Sequence, residues 1–173
     1  VGAAIVMEYI EGVTLDKFIA SQPSYQARER VMRDILTGVD YLHHRSLLHN
    51  DLKPQNIIIT PNGAARIIDF GLSSSHDSLW CGCIGGTDGF TAPEILRDGV
   101  SHGVASDIYS VGRLMEYIFA GRRYRHIVQR CLKADVSQRY SSIGALQRDM
   151  RLYNRRPWIA LSVVAFVVII FAI

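Results

Sequence analysis

Val31, Ile35, Val39 and Leu42 recur at spacings of four, four and three within the stretch QARERVMRDILTGVDYLHHRS. That spacing predicts one buried face of a helix, with Arg28, Glu29, Arg33 and Asp34 mostly outside it. Upstream, Ala4 to Tyr9 reads as a short apolar strand. EGVTLDKFI then reads as a short helix beyond the breaker Gly12, with Thr14 or Asp16 as its cap. Pro23 separates the two helical stretches, and Ser46 to Asn50 reads as a loop. Asn56 to Thr60 and Ala65 to Asp69, joined through Pro61-Asn62-Gly63, read as a β-hairpin, because Asn-Gly is a strong turn signal. Gly71 to Gly89 is rich in Gly and Ser, lacks periodicity and reads as a loop. Helical spacing returns at Asp107 to Ala120, at His126 to Lys133 and from Ser141 to about Arg156. The fold class this predicts is mainly α, a helical bundle carrying one β-hairpin, and no internal repeat is visible.

The last apolar stretch differs from the others. Trp158 to Ile173 reads WIALSVVAFVVIIFAI, with no charge and one hydroxyl, Ser162. As a helix it would rise roughly 24 Å, against a bilayer core of about 30 Å. It lacks the polar stripe of a core helix, so it is expected to be a transmembrane helix that continues past Ile173. Arg148, Arg151, Arg155 and Arg156 flank it, which predicts a single-pass protein with everything before Trp158 on the cytoplasmic side.

Much of the net charge of +3 traces to that basic flank. It suits anionic membrane lipid and gives no reason to expect a nucleic-acid partner. The length of 173 residues suffices for one domain with a substantial core. Three cysteines, Cys81, Cys83 and Cys131, are too few and too odd in number for a disulfide framework. Cys81-Gly82-Cys83 has no second pair to complete a metal site, so both read as ordinary thiols. His43 and His44 read as surface or core-edge residues rather than ligands. The chain opens in what looks like mid-strand without an initiator Met, so it is expected to be part of a longer parent.

Three motifs carry the chemistry. His49-Asn50-Asp51-Leu52-Lys53-Pro54-Gln55-Asn56 precedes the hairpin, Asp69-Phe70-Gly71 follows it, and Ala92-Pro93-Glu94 lies beyond. Together and in this order they resemble the catalytic loop, magnesium-binding motif and activation-segment terminus of the protein kinase superfamily. The resemblance covers Val1 to about Arg151. It implies a protein-kinase-like C-lobe and phosphoryl transfer from ATP with Mg2+ to protein Ser/Thr hydroxyls.

Phosphoryl transfer needs an in-line hydroxyl and neutralised phosphate charge. Asp51 can accept the proton of the substrate hydroxyl, and Lys53 can reach the phosphoryl oxygens as a point charge. Asn56 and Asp69 offer hard oxygen ligands of the kind Mg2+ prefers. They lie at the two open ends of the hairpin, which brings them together.

The resemblance implies more, residue by residue. Val6-Met7-Glu8-Tyr9 is similar to the hinge, where backbone groups of Glu8 and Ile10 would hold adenine, Met7 would guard the back of its pocket and Ile58 would lie beneath it. Gly86 to Glu94 resembles the substrate-binding turn, with Thr87 bonding Asp51 and Lys53; Lys53 marks the Ser/Thr class. His49 resembles a structural histidine packed on Phe70. Asp107 is expected to brace the catalytic loop from the start of a buried helix, and Arg139 to pair with Glu94. Residues 1–10 would be the last N-lobe strand and hinge, 11–151 the C-lobe, 152–157 the juxtamembrane flank and 158–173 the anchor.

The chain also departs from the family pattern. Asn50 stands where regulated kinases carry an arginine that pairs with a phosphorylated loop. Ser73, Ser74, Ser75 and Ser78 therefore read as a polar loop rather than a phosphorylation switch. After Ala120-Gly121 the chain runs almost directly into the next helix, so a helix usual in the lobe is missing. There is no Gly-rich loop, strand lysine or partner glutamate; the parent is expected to supply that N-lobe upstream, and the isolated chain is expected to be inactive. The alternative is a pseudokinase or remnant serving as a membrane-bound interaction module. A small-molecule phosphotransferase fits less well, because Ala92-Pro93-Glu94 and the Asp107 segment organise a polypeptide-binding surface.

Overall fold

The computed structural model describes residues 8–69, 74–75, 89–98, 103–120 and 123–154. Helix α2 (Tyr25–His44) is the first long element. Ser24 caps it, its Oγ accepting the Ala27 N–H at 3.2 Å. The four apolar residues read from the sequence are all buried, and Met32 and Leu36 widen the stripe. This stripe faces helix α4 (Val104–Phe119) on one side and the hairpin on the other. The Ala65 N–H donates to Asp34 Oδ2 at 3.0 Å, tying α2 to the hairpin.

The hairpin is strand β3 (Ile57–Ile59) against β4 (Ala65–Ile67), antiparallel, with Ile58 opposite Arg66. Strand β1 (Val13–Thr14) adds to its other edge, with Thr14 opposite Ile58. A side chain at Gly12 would place Cβ 2.4 Å from the Ile59 carbonyl oxygen, so only glycine lets the two backbones approach.

Helix α4 is buried on most of its circumference, from Ser106 and Asp107 to Ile118 and Phe119. It is the post around which α2 and α5 (Arg125–Cys131) pack. Fully burying a Leu, Ile or Met side chain is worth about 1.5–3 kcal/mol, and Ile108, Leu114, Met115 and Ile118 are all 0 % exposed. A Cβ on Gly112 would meet Cys131 Cβ at 2.5 Å, so glycine sets the α4–α5 approach. Helix α3 (Pro93–Asp98) precedes α4, and helix α6, described over 143–154, follows α5.

Several sequence expectations are corrected here. The expected loop at Ser46 to Asn50 contains strand β2 (Leu47–Leu48), paired antiparallel with β5 (Ser74–Ser75) inside the expected Gly/Ser loop. Strand β1 was likewise not anticipated; both pairings join distant segments, which local periodicity does not record. Thr14 occupies the N-cap of α1 (Leu15–Ala20), but its side chain makes no cap bond. Helix α4 starts at Val104 rather than Asp107, because Gly103 (φ 69°) turns the chain in just before it. Glu8 and Tyr9, from the expected first strand, have no regular structure, and Ala4 lies outside the described residues. Among the described residues no helix is long and apolar enough to cross a membrane; the expected anchor, 158–173, lies outside them.

Candidate functional site

Asp51 lies in the segment 49–56 that joins β2 to the hairpin. Lys53 is extended (φ −150°, ψ 164°), and Pro54 opens a 3-10 turn through Asn56 that curls the chain back. Lys53 Nζ therefore lies 2.7 Å from Asp51 Oδ2. Asn56 Nδ2 donates to the same oxygen at 3.0 Å and to the Asp51 carbonyl at 2.9 Å. Two donors, one of them charged, hold the carboxylate in one orientation. Asp51 is 8 % exposed and so almost fully enclosed.

The hairpin register carries Asp69 to the same place. The Ile68 N–H donates to the Asn56 carbonyl at 2.9 Å, and Asp69 follows directly. Asp69 is exposed and left-handed (φ 62°), and so is the backbone of Asn50 (φ 62°). Left-handed backbone is unfavourable for most side chains, though Asn and Asp adopt it more readily than others. Asp51 thus follows one such residue, and Asp69 is another.

A buried carboxylate explains the bend at Asn50. Asp107, 0 % exposed on α4, accepts the His49 N–H at Oδ2 (2.9 Å) and the Asn50 N–H at Oδ1 (2.8 Å). Both amides point inward, which turns the chain just before Asp51. His43 Nε2, from the last turn of α2, sits 2.9 Å from Asp107 Oδ2. The His49 ring spans the two halves of the site: its Nδ1 accepts the Asp51 N–H at 3.3 Å, so its Nε2 carries the proton that meets the Ile68 carbonyl at 3.3 Å.

Further along, Arg139 and Glu94 form a bidentate pair at 2.7 and 2.8 Å, with side chains 0 and 3 % exposed. Ser106 Oγ adds a bond to Glu94 Oε1 at 3.0 Å. Burial pushes the Glu94 carboxyl up, but the Arg139 and Ser106 bonds outweigh it and hold the carboxyl below its usual range. This pair joins α3, which begins within the Ala92-Pro93-Glu94 motif, to the turn at Val136–Gln138, while the Ser106 and Ala105 bonds tie it to the start of α4.

The structure thus brings together Asp51, Lys53, Asn56, Asp69 and Asp107, and separately Glu94 with Arg139. Ile58 is half-buried on β3, and a Cβ on Gly12 would come within 2.6 Å of its Cγ2. Glu8 is exposed and Ile10 half-buried, both outside regular structure. Met7, Phe70, Cys81, Cys83 and Thr87 lie outside the described residues. His43 is the site residue that the sequence reading passed over as core-edge. Its position four after Val39 on the buried face of α2 was the available signal.

The donor set fits Mg2+. Among the described residues both bonds of the Asn56 side chain use Nδ2, which leaves Oδ1 as an acceptor beside the Asp69 segment. An amide oxygen and a carboxylate suit a hard cation that takes its other ligands from phosphate and water.

Comparison with known proteins gives the context of this geometry. The family profile described as Protein kinase domain matches residues 2–126. The chain belongs to the protein kinase domain family. This kinase segment is 36 % identical over 125 residues to CBL-interacting serine/threonine-protein kinase 9 of Arabidopsis thaliana, covering 68 % of this chain and 28 % of that protein. It is 40 % identical over 127 residues to serine/threonine-protein kinase PknG of Mycobacterium leprae, covering 70 % of this chain and 16 % of that protein. A probable serine/threonine-protein kinase KIN1 homolog of Encephalitozoon cuniculi is 34 % identical over 124 residues, covering 68 % and 21 %. The chain therefore spans less than a third of the length of these relatives, all of which are named as Ser/Thr kinases. The kinase segment keeps the short connection expected between α4 and α5, residues 120–124.

Proposed function

We propose that this chain is the catalytic-loop half of a membrane-anchored Ser/Thr protein kinase, with Asp51 as the base that accepts the proton of the substrate hydroxyl. The observation that carries this is the convergence of Lys53 Nζ and Asn56 Nδ2 on one oxygen of Asp51. That grip fixes the carboxylate where a hydroxyl can be oriented, and it places a cation beside the same oxygen for the transferring phosphoryl group. Asn56 Oδ1 and the Asp69 carboxylate are the groups that would hold Mg2+, which when bound neutralises phosphate charge. The backbone of Glu8 and Ile10 would hold adenine, with Ile58 beneath it. Thr87 would bond Asp51 and Lys53 on the substrate side. The Gly-rich loop and lysine that clamp ATP would come from an N-lobe upstream in the parent.

The uncharged run 158–173 and its arginine flank support a single-pass anchor with the kinase part on the cytoplasmic side. The assay of the catalytic reading is phosphorylation of a Ser/Thr peptide by the parent protein. Asp51→Asn is expected to lower kcat by about 10²- to 10⁴-fold with ATP binding retained. A parent that turns over equally well with Asp51→Asn would sink the assignment.

A further inference from the structure

At the end of the lobe opposite the catalytic loop, a cleft of about 470 Å³ is lined by Pro23, Tyr25, Arg28, Phe119 and Arg123. Its two guanidinium groups are held in place. Arg28 donates Nε to the Pro23 carbonyl and Nη1 to the Ile118 carbonyl, both at 3.1 Å, and has no carboxylate partner among the described residues. Arg123 lies over the rings of Tyr25 (4.5 Å) and Tyr124 (5.0 Å) and donates Nη2 to Asn154 Oδ1 at 2.8 Å. Glu29 is 3.5 Å from Arg123, and its Oε1 also accepts the hydroxyls of Tyr25 and Tyr124. Arg123 thus has one carboxylate, already engaged by two tyrosine hydroxyls, and Arg28 has none among the described residues.

What borders the cleft says what would fill it. The described part of helix α6 reaches Asn154, which holds the cleft's Arg123, and Leu152 two residues earlier is 58 % exposed. The sequence then continues Arg155-Arg156-Pro157-Trp158 into the apolar run. Four residues span at most about 14 Å, which bounds the reach of the chain from Asn154 to the start of the run. Arginines, a tyrosine and an exposed leucine at the root of an apolar segment match the chemistry of a negatively charged bilayer surface.

We propose that this cleft docks the phosphate of an anionic lipid headgroup between Arg28 and Arg123. The inference rests on the membrane reading above. It has a consequence for substrates. Helix α2 begins at this cleft and ends before the catalytic loop, about 30 Å away at 1.5 Å per residue. A lobe docked here holds Asp51 on the side away from the bilayer, where it meets soluble proteins rather than membrane-embedded ones.

The test uses the full chain reconstituted in bilayers of phosphatidylcholine alone, or with about one-third phosphatidylserine. Flotation after carbonate washing reports insertion, and hydrogen exchange of the first turn of α2 reports docking. Insertion is expected in both bilayers, with added protection of residues 25–29 only where phosphatidylserine is present. Arg28→Gln and Arg123→Gln are each expected to lower that added protection about fivefold, and together about thirtyfold. Equal protection of the unmutated chain in both bilayers overturns the docking surface and leaves the anchor standing; this arm does not depend on how the variants fold. Failure to float with either bilayer overturns the anchor and the docking surface together. Capture of an acidic peptide without preference for phosphatidylserine would overturn the headgroup assignment.

Discussion

Replacing Glu94 by glutamine keeps the shape of the side chain and removes its charge, and the structure says what that should do. Arg139 is fully enclosed and spends four hydrogen bonds there: two to Glu94, one to the Ala105 carbonyl at 2.9 Å and one to the Lys133 carbonyl at 2.8 Å. At an effective dielectric of 20 and about 4 Å between charge centres, the attraction is about 4 kcal/mol. Breaking a buried pair from one side typically costs 3–5 kcal/mol, because the other charge stays buried and uncompensated. Glu94→Gln should therefore lower the thermal midpoint by about 6–20 °C for a chain of this size. Arg139→Met should do likewise, and the double variant Glu94→Gln/Arg139→Met should lose less than the two singles summed. The pH dependence has a definite sign. The folded carboxyl titrates below its ordinary 4.5, so its contribution is present above that value and is lost as the pH falls through the lower folded-state value. Calorimetry of the four chains in detergent at neutral pH is the assay. A Glu94→Gln loss below about 1 kcal/mol, or fully additive singles, would refute the reasoning.

Three further outcomes are expected. Asp107→Asn should cost about 2 kcal/mol or more, since its amide must turn one N–H toward the donors of His43, His49 or Asn50; faster hydrogen exchange at residues 49 and 50 would register it. Asn50→Ala should be less stable than Asn50→Gly by about 0.5–1 kcal/mol in urea titrations, and equal midpoints would show that the left-handed backbone carries no strain. Cys131 is fully buried and its thiol is pushed up to about 12 by burial, so peptide mapping should find it unmodified by iodoacetamide in the native chain at pH 8 and modified after unfolding.

The sequence by itself determined what depends on near neighbours. The stripe on α2, the Asn-Gly hairpin and the spacing from Asp51 to Asn56 are all short-range, so periodicity and turn chemistry record them. Even the grip of Lys53 and Asn56 on Asp51 lies within six residues. How that loop is aimed depends on remote contacts that no local pattern records. Asp107 takes the amides of His49 and Asn50 from more than fifty residues away and bends Asn50 into the left-handed region. The short strands β1, β2 and β5 were invisible for the same reason, since two residues carry no period and their partners are remote. The Asp107 brace and the Glu94–Arg139 pair were legible only through family resemblance, and the cleft of Arg28 and Arg123 not at all. Contacts of this kind form when closing a long loop is repaid by burial and hydrogen bonding, a balance set by the whole packed core rather than by any window of sequence.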